Sequence, residues 1–222
     1  MFDLDDTLYA PTPELAAIYD ARMRAFIERA LGVPHDRAAR IQDDLYQRFG
    51  ATVRGLMTEH GVAPDDYLAY VHDIDHSLIA PDPGLAAAIA TLPGRRSILT
   101  NSPRRHAERV AERLGIAPLI DDIFDFARSG HHAKPAREVY DRLIAATGAA
   151  PERTAMFEDL ARNLAEPRRL GMVTVLVVPP RSRELFRGAW DLERGPEAPA
   201  DFVTENLSGF LAAVAGAIRS VD

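Results

Sequence analysis

Apolar residues recur with two different rhythms along this chain, and the change falls near residue 81. Before it, Leu15, Tyr19, Met23, Phe26, Ile27 and Leu31 keep to one face of a helix that Gly32-Val33-Pro34 stops. Ile41, Leu45 and Phe49 mark a second helix closed by Gly50, and 53–60 a third closed by Gly61. Pro64-Asp65-Asp66 opens a fourth, with Leu68, Val71, Ile74 and Leu78 facing inward. No part of 11–81 reads as a strand. After Pro81-Asp82-Pro83-Gly84 short apolar runs alternate with helical stretches: helix 85–92, strand 97–100, helix 104–114, strand 123–126, helix 137–146, strand 154–157, helix 161–170, strands 172–178 and 202–204, and helix 207–218. That alternation predicts a parallel sheet. The connection 181–200, rich in Pro, Gly and charge, is the least ordered-looking. One further strand tip, Phe2-Asp3, precedes the helical block. The expected architecture is therefore α/β, a Rossmann-like parallel sheet core from 1–10 plus 82–222, with an all-helical cap, 11–81, inserted after the first strand. Ligand crevices in open parallel sheets lie outside the C-terminal strand tips, so a module inserted there hangs over the crevice as a lid.

Composition narrows the chemistry. The 222 residues carry 26 Lys and Arg against 33 Asp and Glu, a net charge of −7 that disfavours a nucleic-acid polymer as partner. A small phosphate ester stays compatible, because a divalent cation reverses the local field. The absence of cysteine excludes disulfides, thiolate catalysis and thiolate metal sites. No apolar run approaches a membrane span and no signal peptide is recognisable, so a cytoplasmic location is expected. Only Met1 and Phe2 precede Asp3, which leaves either a very short first strand or a natural chain that begins upstream.

The polar residues at the strand tips supply candidate chemistry. Asp3 ends the first apolar run and Asp5 sits on the turn after it; two carboxylates so close need a cation or a shared proton. Thr100 and Asn101 close the next strand ahead of a helix, where a hydroxyl, an amide and helix N–H groups suit phosphate oxygens. Lys134, at the entry to another helix, opposes that helix's dipole, so an anion would explain its placement. Met156-Phe157-Glu158-Asp159 is an apolar strand closing on two acids, with Asn163 following. Acids converging with Asp3 and Asp5 would form an all-oxygen site suited to Mg²⁺. Helix capping explains Asp5, Thr100, Asn101 and Asp159 one at a time equally well, and a solvated surface explains Lys134.

Taken in order, these segments resemble the haloacid dehalogenase-like (HAD) hydrolase superfamily. Asp3-Leu4-Asp5-Asp6-Thr7 is similar to its first motif, Thr100-Asn101 to the second, Lys134-Pro135 to the third, and Glu158-Asp159 with Asn163 to the fourth. The resemblance implies that Asp3 is the nucleophile, forming an aspartyl-phosphate, and Asp5 the general acid and base. It implies that Thr100 and Lys134 hold the phosphoryl group, and that Asp3, Asp159 and the Asp5 backbone carbonyl ligate Mg²⁺. Glu158 stands where the motif commonly has Gly, and Asn163 where it has a second Asp. Phe2 to Tyr9, Tyr46 to Met57, Tyr70-Val71-His72 and Phe157 to Leu160 are similar to pyrimidine 5′-nucleotidases, which implies a nucleoside monophosphate of the UMP or CMP type as substrate. The alternatives are a phosphatase for phosphoglycolate or a sugar phosphate, a haloacid dehalogenase, and a non-catalytic relative that binds a phosphorylated ligand. An acid at position 5 argues for phosphoester cleavage, because a halide leaves without a proton.

Overall fold

A computed structural model of the chain describes residues 1–10, 12–178 and 200–219. The segment 181–200, apart from Ala200, lies outside the described residues. The first four helices are α1 (Pro13–Leu31), α2 (His35–Phe49), α3 (Thr52–His60) and α4 (Pro64–Val71). The start of α1 is fixed locally: the Thr12 hydroxyl accepts the Leu15 N–H at 3.1 Å and Pro13 opens the first turn. These helices share a core around Phe26, Ile27, Leu45, Leu56, Tyr67 and Leu68, joined by Phe126 and Ala133 from the α/β part. No strand occurs in 12–81 among the described residues.

The fourth helix is shorter than the periodicity predicts. It ends at Val71, and the chain restarts as a short 3₁₀ turn, His76–Leu78, where the Asp75 carboxylate accepts the Ser77 N–H at 2.8 Å. Ile74 and Leu78 still face inward, packed against the sheet-side core.

The remainder runs α5 (Pro83–Ala90), β1 (Ser97–Leu99), α6 (Arg104–Leu114), β2 (Asp122–Phe124), α7 (Arg137–Thr147), β3 (Ala155–Glu158), α8 (Ala161–Arg169), β4 (Val173–Val177), β5 (Phe202–Thr204) and α9 (Leu207–Arg219). All pairings are parallel: β1 with β2, β3 with β4 and β4 with β5. Phe2 joins the two groups, bridging Ile98 on one side and Phe157 on the other. The order across the sheet is therefore β2, β1, residues 1–3, β3, β4, β5, with the chain reversing direction of growth at its N-terminal segment. Phe2 is buried there and stacked on Phe157 with ring centroids 4.8 Å apart. A ligand crevice is expected beyond the tips on either side of such a reversal.

Two strand ends shift, and both matter to the site. β2 stops at Phe124 rather than Phe126, because Phe126 turns away to fill the helical core. β3 runs on to Glu158, which places that acid within the sheet and fully buried. No helix among the described residues is long and apolar enough to cross a membrane.

Candidate functional site

The central segment ends at Asp3, whose N–H is the last to enter the sheet, donating to Phe157 O at 2.9 Å. The backbone then turns: Asp6 takes φ 63°, a left-handed conformation that Asp tolerates, and the Leu8 N–H closes onto Leu4 O at 3.0 Å. This turn sends the Asp3 and Asp5 side chains to different neighbours.

Asp3 faces Lys134, whose Nζ donates to Asp3 Oδ1 at 2.5 Å, to Glu158 Oε2 at 3.1 Å and to Leu99 O at 3.1 Å. The lysine side chain is 1% exposed. Burial pushes its pKa down, but the charges of Asp3 and Glu158 outweigh that and raise it, so it stays an ammonium. Its three hydrogens are taken up by protein acceptors. In this arrangement Lys134 places its charge directly beside Asp3 at the edge of the cavity. The Thr7 hydroxyl lies 3.1 Å from Asp159 Oδ1 and 3.4 Å from Asp3 Oδ2, linking the first and last of the predicted motifs.

Asp3, Glu158 and Asp159 offer carboxylate oxygens that all lie within 4.8 Å of one another. Burial, and then the neighbouring carboxylates, raise the pKa of both Glu158 and Asp159. Asn163 donates from Nδ2 to Glu158 Oε1, while its buried Oδ1 has no hydrogen-bond partner among the described residues. Crowded acids beside an unpartnered oxygen acceptor form a donor set that a hard divalent cation fits.

Asp5 is held apart from this cluster. Tyr9 donates to its Oδ1 at 2.6 Å, Ser102 donates to its Oδ2 at 2.5 Å, and His106 Nε2 lies 2.8 Å from Oδ1. Burial alone would raise its pKa; the charge and hydrogen bond of His106, helped by His72 and Ser102, bring it well below the usual carboxylate range. The side chain of Asp5 is thus absent from the acid trio, and only its backbone carbonyl is left for the metal role predicted for it.

Thr100 and Asn101 follow β1 directly. Thr100 Oγ1 accepts the Ser102 N–H at 2.9 Å, an arrangement that leaves its own hydrogen to donate. Asn101 also meets a main chain. Its Oδ1 accepts the Lys134 N–H at 2.8 Å and its Nδ2 points at Lys134 O at 3.5 Å, so the amide secures the Lys134 backbone while lining the cavity. Gly50, at the end of α2 with φ 77°, lies against the same peptide: a Cβ there would meet Lys134 O at 2.8 Å.

These groups open into a cavity of about 290 Å³, roofed by the helical block through Tyr19, Met23, Tyr46, Tyr67, Leu68 and His72. Among the described residues Lys134 is the one Lys or Arg lining it; the Arg162 guanidinium stacks on the Tyr46 ring at 4.5 Å but lies outside the lining. Sequence reasoning brought Asp3, Lys134 and Asp159 to one place but missed the groups holding Asp5. For His106 a signal existed: it shares the apolar stripe of α6 with Ala107, Val110, Ala111 and Leu114, all buried.

Residues 1–171 match the family model of the haloacid dehalogenase-like hydrolases. Phosphate metabolism protein 8 of Saccharomyces cerevisiae is 30% identical over 151 residues, which are 63% of this chain and 45% of that protein. The chain thus spans less than half the length of that relative. Among solved structures, a HAD phosphatase from Thermococcus onnurineus has a TM-score of 0.63 at 16% identity, covering 97% of this chain and 96% of that one. The L-2-haloacid dehalogenase of Xanthobacter autotrophicus with chloropropionic acid covalently bound has a TM-score of 0.58 at 17% identity, covering 100% and 98%. At such identities the shared fold is what these structures establish.

Proposed function

The chain belongs to the haloacid dehalogenase-like hydrolase family, and from that premise we propose that it is a Mg²⁺-dependent phosphomonoester hydrolase working through an aspartyl-phosphate, with pyrimidine nucleoside 5′-monophosphates as its substrate class. One observation carries the reading. Asp3 stands at the central strand tip between the Lys134 ammonium and the acids Glu158 and Asp159, while Asp5 opens into the same cavity with hydrogen-bonding groups at both its oxygens. An oxygen of Asp3 attacks phosphorus, and the ester P–O bond breaks with its electron pair staying on the departing oxygen. Asp5, whose protonated form the charge of the bound dianionic ester favours against the pull of His106, gives that oxygen a proton. Water then attacks the phosphorus of the aspartyl-phosphate and passes a proton to Asp5. The bond to Asp3 breaks, and inorganic phosphate leaves. Lys134 orients Asp3 and offsets charge on the phosphoryl oxygens. Asp3, Asp159, the Asp5 carbonyl and Glu158 would hold Mg²⁺, which when bound offsets repulsion between the carboxylates and a dianionic ester. Residues 11–81 would act as the cap that closes over this core and meets the leaving group.

The lining supports an uncharged, flat leaving group. Tyr9, Tyr19, Tyr46 and Tyr67 with Met23 and Leu68 suit a nucleoside. Among the described residues a phosphoglycolate carboxylate would meet no Lys or Arg in that part of the cavity, where Lys134 belongs to the phosphoryl end. A halide would need none of the hydrogen bonding around Asp5. The test is phosphate release from UMP, CMP, a sugar phosphate and phosphoglycolate, with Mg²⁺ and again after chelation. Turnover of the pyrimidine nucleotides at least about tenfold above the others, lost on chelation and restored by Mg²⁺, is expected. Faster turnover of phosphoglycolate would refute the substrate class, and silence across all esters the hydrolytic reading.

A further inference from the structure

Behind Asp5 lies a chain of buried imidazoles that the mechanism above does not use. His106, its side chain without solvent exposure, contacts Asp5 Oδ1 through Nε2 at 2.8 Å and His76 Nε2 through Nδ1 at 2.9 Å. His76 Nδ1 in turn lies 3.1 Å from Ile74 O. The polarity of this chain can be worked from its far end. A carbonyl only accepts, so His76 Nδ1 carries a hydrogen. Burial, then the neighbouring His106, lower the His76 pKa and keep its ring neutral, which makes its Nε2 an acceptor. His106 Nδ1 must then donate to it. One hydrogen is left to occupy the gap between His106 Nε2 and Asp5 Oδ1, whichever of the two atoms bears it. The Tyr19 hydroxyl at 3.3 Å and the rings of His72 and His76, with centroids at 4.8 and 5.1 Å, wall in the imidazole.

We propose that His106 is a positioning residue for Asp5, fixing the orientation in which its carboxyl group meets the leaving-group oxygen. The proposal rests on Asp5 being the general acid and base. His106 acts through Asp5 and touches no substrate atom, so removing it weakens proton delivery to the departing oxygen and leaves Asp3, Lys134 and the acid trio in place. That distinction is measurable, because an alkoxide needs a proton to leave and a p-nitrophenolate does not.

The experiment compares kcat/KM, which reports the steps through leaving-group departure, for UMP and for p-nitrophenyl phosphate in His106→Phe and His106→Gln. Phe keeps the ring volume and removes both nitrogens; Gln returns an amide near the Nε2 position. For His106→Phe the UMP value is expected to fall about 100-fold, in the range of general acid–base contributions, and the p-nitrophenyl value less than about fivefold. His106→Gln is expected to recover at least about a tenth of the wild-type UMP value while leaving the p-nitrophenyl value unchanged. The ratio of the two esters does not depend on how much of a variant folds, so partial misfolding leaves the readout intact. Equal losses on both esters, or no loss on either, overturn the positioning role while the phosphatase reading stands. A wild-type protein that cleaves neither ester removes the phosphatase reading, and this assignment with it.

Discussion

Replacing Lys134 with Met keeps an unbranched stem of similar length and deletes one charge. The ammonium lies 2.5 Å from Asp3 Oδ1 and 3.1 Å from both Glu158 Oε2 and Leu99 O, and at 1% exposure water cannot take its place. Asp3, Glu158 and Asp159 would then share the site with no positive side chain among them. Removing one partner from a buried ion pair costs about 3–5 kcal/mol, a large part of the roughly 5–15 kcal/mol that holds a domain together. The dependence on pH follows from the directions of the shifts. Glu158 and Asp159 already titrate above the ordinary carboxyl range, burial being the first cause and neighbouring acids the next, and losing the cation moves them higher. An acid whose folded pKa is raised contributes its stability in full below its unfolded pKa and loses it as pH rises through the folded value. The variant's deficit should therefore be small near pH 5 and large near pH 8. Urea unfolding followed by far-UV circular dichroism, with chelator present, would measure it. We expect a deficit of about 3 kcal/mol at pH 8 and under about 1 kcal/mol at pH 5, together with a loss of about 10²–10³ in kcat. A deficit below about 1 kcal/mol at pH 8, or one that is flat with pH, would refute the view that Lys134 is the charge holding these acids together.

Two further substitutions test the site from other directions. Asp3→Asn should abolish phosphate release while keeping the thermal midpoint within a few degrees of wild type, since the amide fits the same space, Glu158 still pairs with Lys134 at 3.1 Å and one acid fewer crowds the site; steady-state assays showing wild-type rates would remove Asp3 as nucleophile. Gly50→Ala forces a side chain into a φ of 77° and against Lys134 O at 2.8 Å. The strain is worth about 1–2 kcal/mol, and because Asn101 and Gly50 hold the same peptide, kcat/KM should fall along with chemical stability. Unchanged unfolding midpoints would show that the α2 end does not bear on Lys134.

What could be read from the sequence depended on where each side chain stands in its element. At the end of a parallel strand buried on both faces, an acid or hydroxyl breaks a continuous apolar run, so Asp3, Thr100 and Asp159 announce themselves by contrast. The same contrast misplaces a boundary when the run continues for another reason. Phe126 extended the apolar run of β2 in the sequence but serves the helical core, and Glu158 ended the run of β3 yet remains within the strand. Helix residues give no such contrast, since polar positions are expected on any solvent face. His106 follows Arg104 and Arg105, both exposed, and looks like a continuation of them until α6 is laid on the sheet, where it falls in register with Val110 and Leu114. Its partners reach it from other segments: Asp5 is 101 residues away and His76 is 30. Pairings at that range are set by how α6 and the His76 turn dock against the sheet and by no local pattern. The role of Asn101 is hidden for the same reason. An amide after a strand suits a ligand and a main chain equally, and its bond to Lys134, 33 residues on, follows only from the packing. Strand-tip chemistry is thus legible from local pattern, whereas the groups that orient it become legible only once the packing that carries them is known.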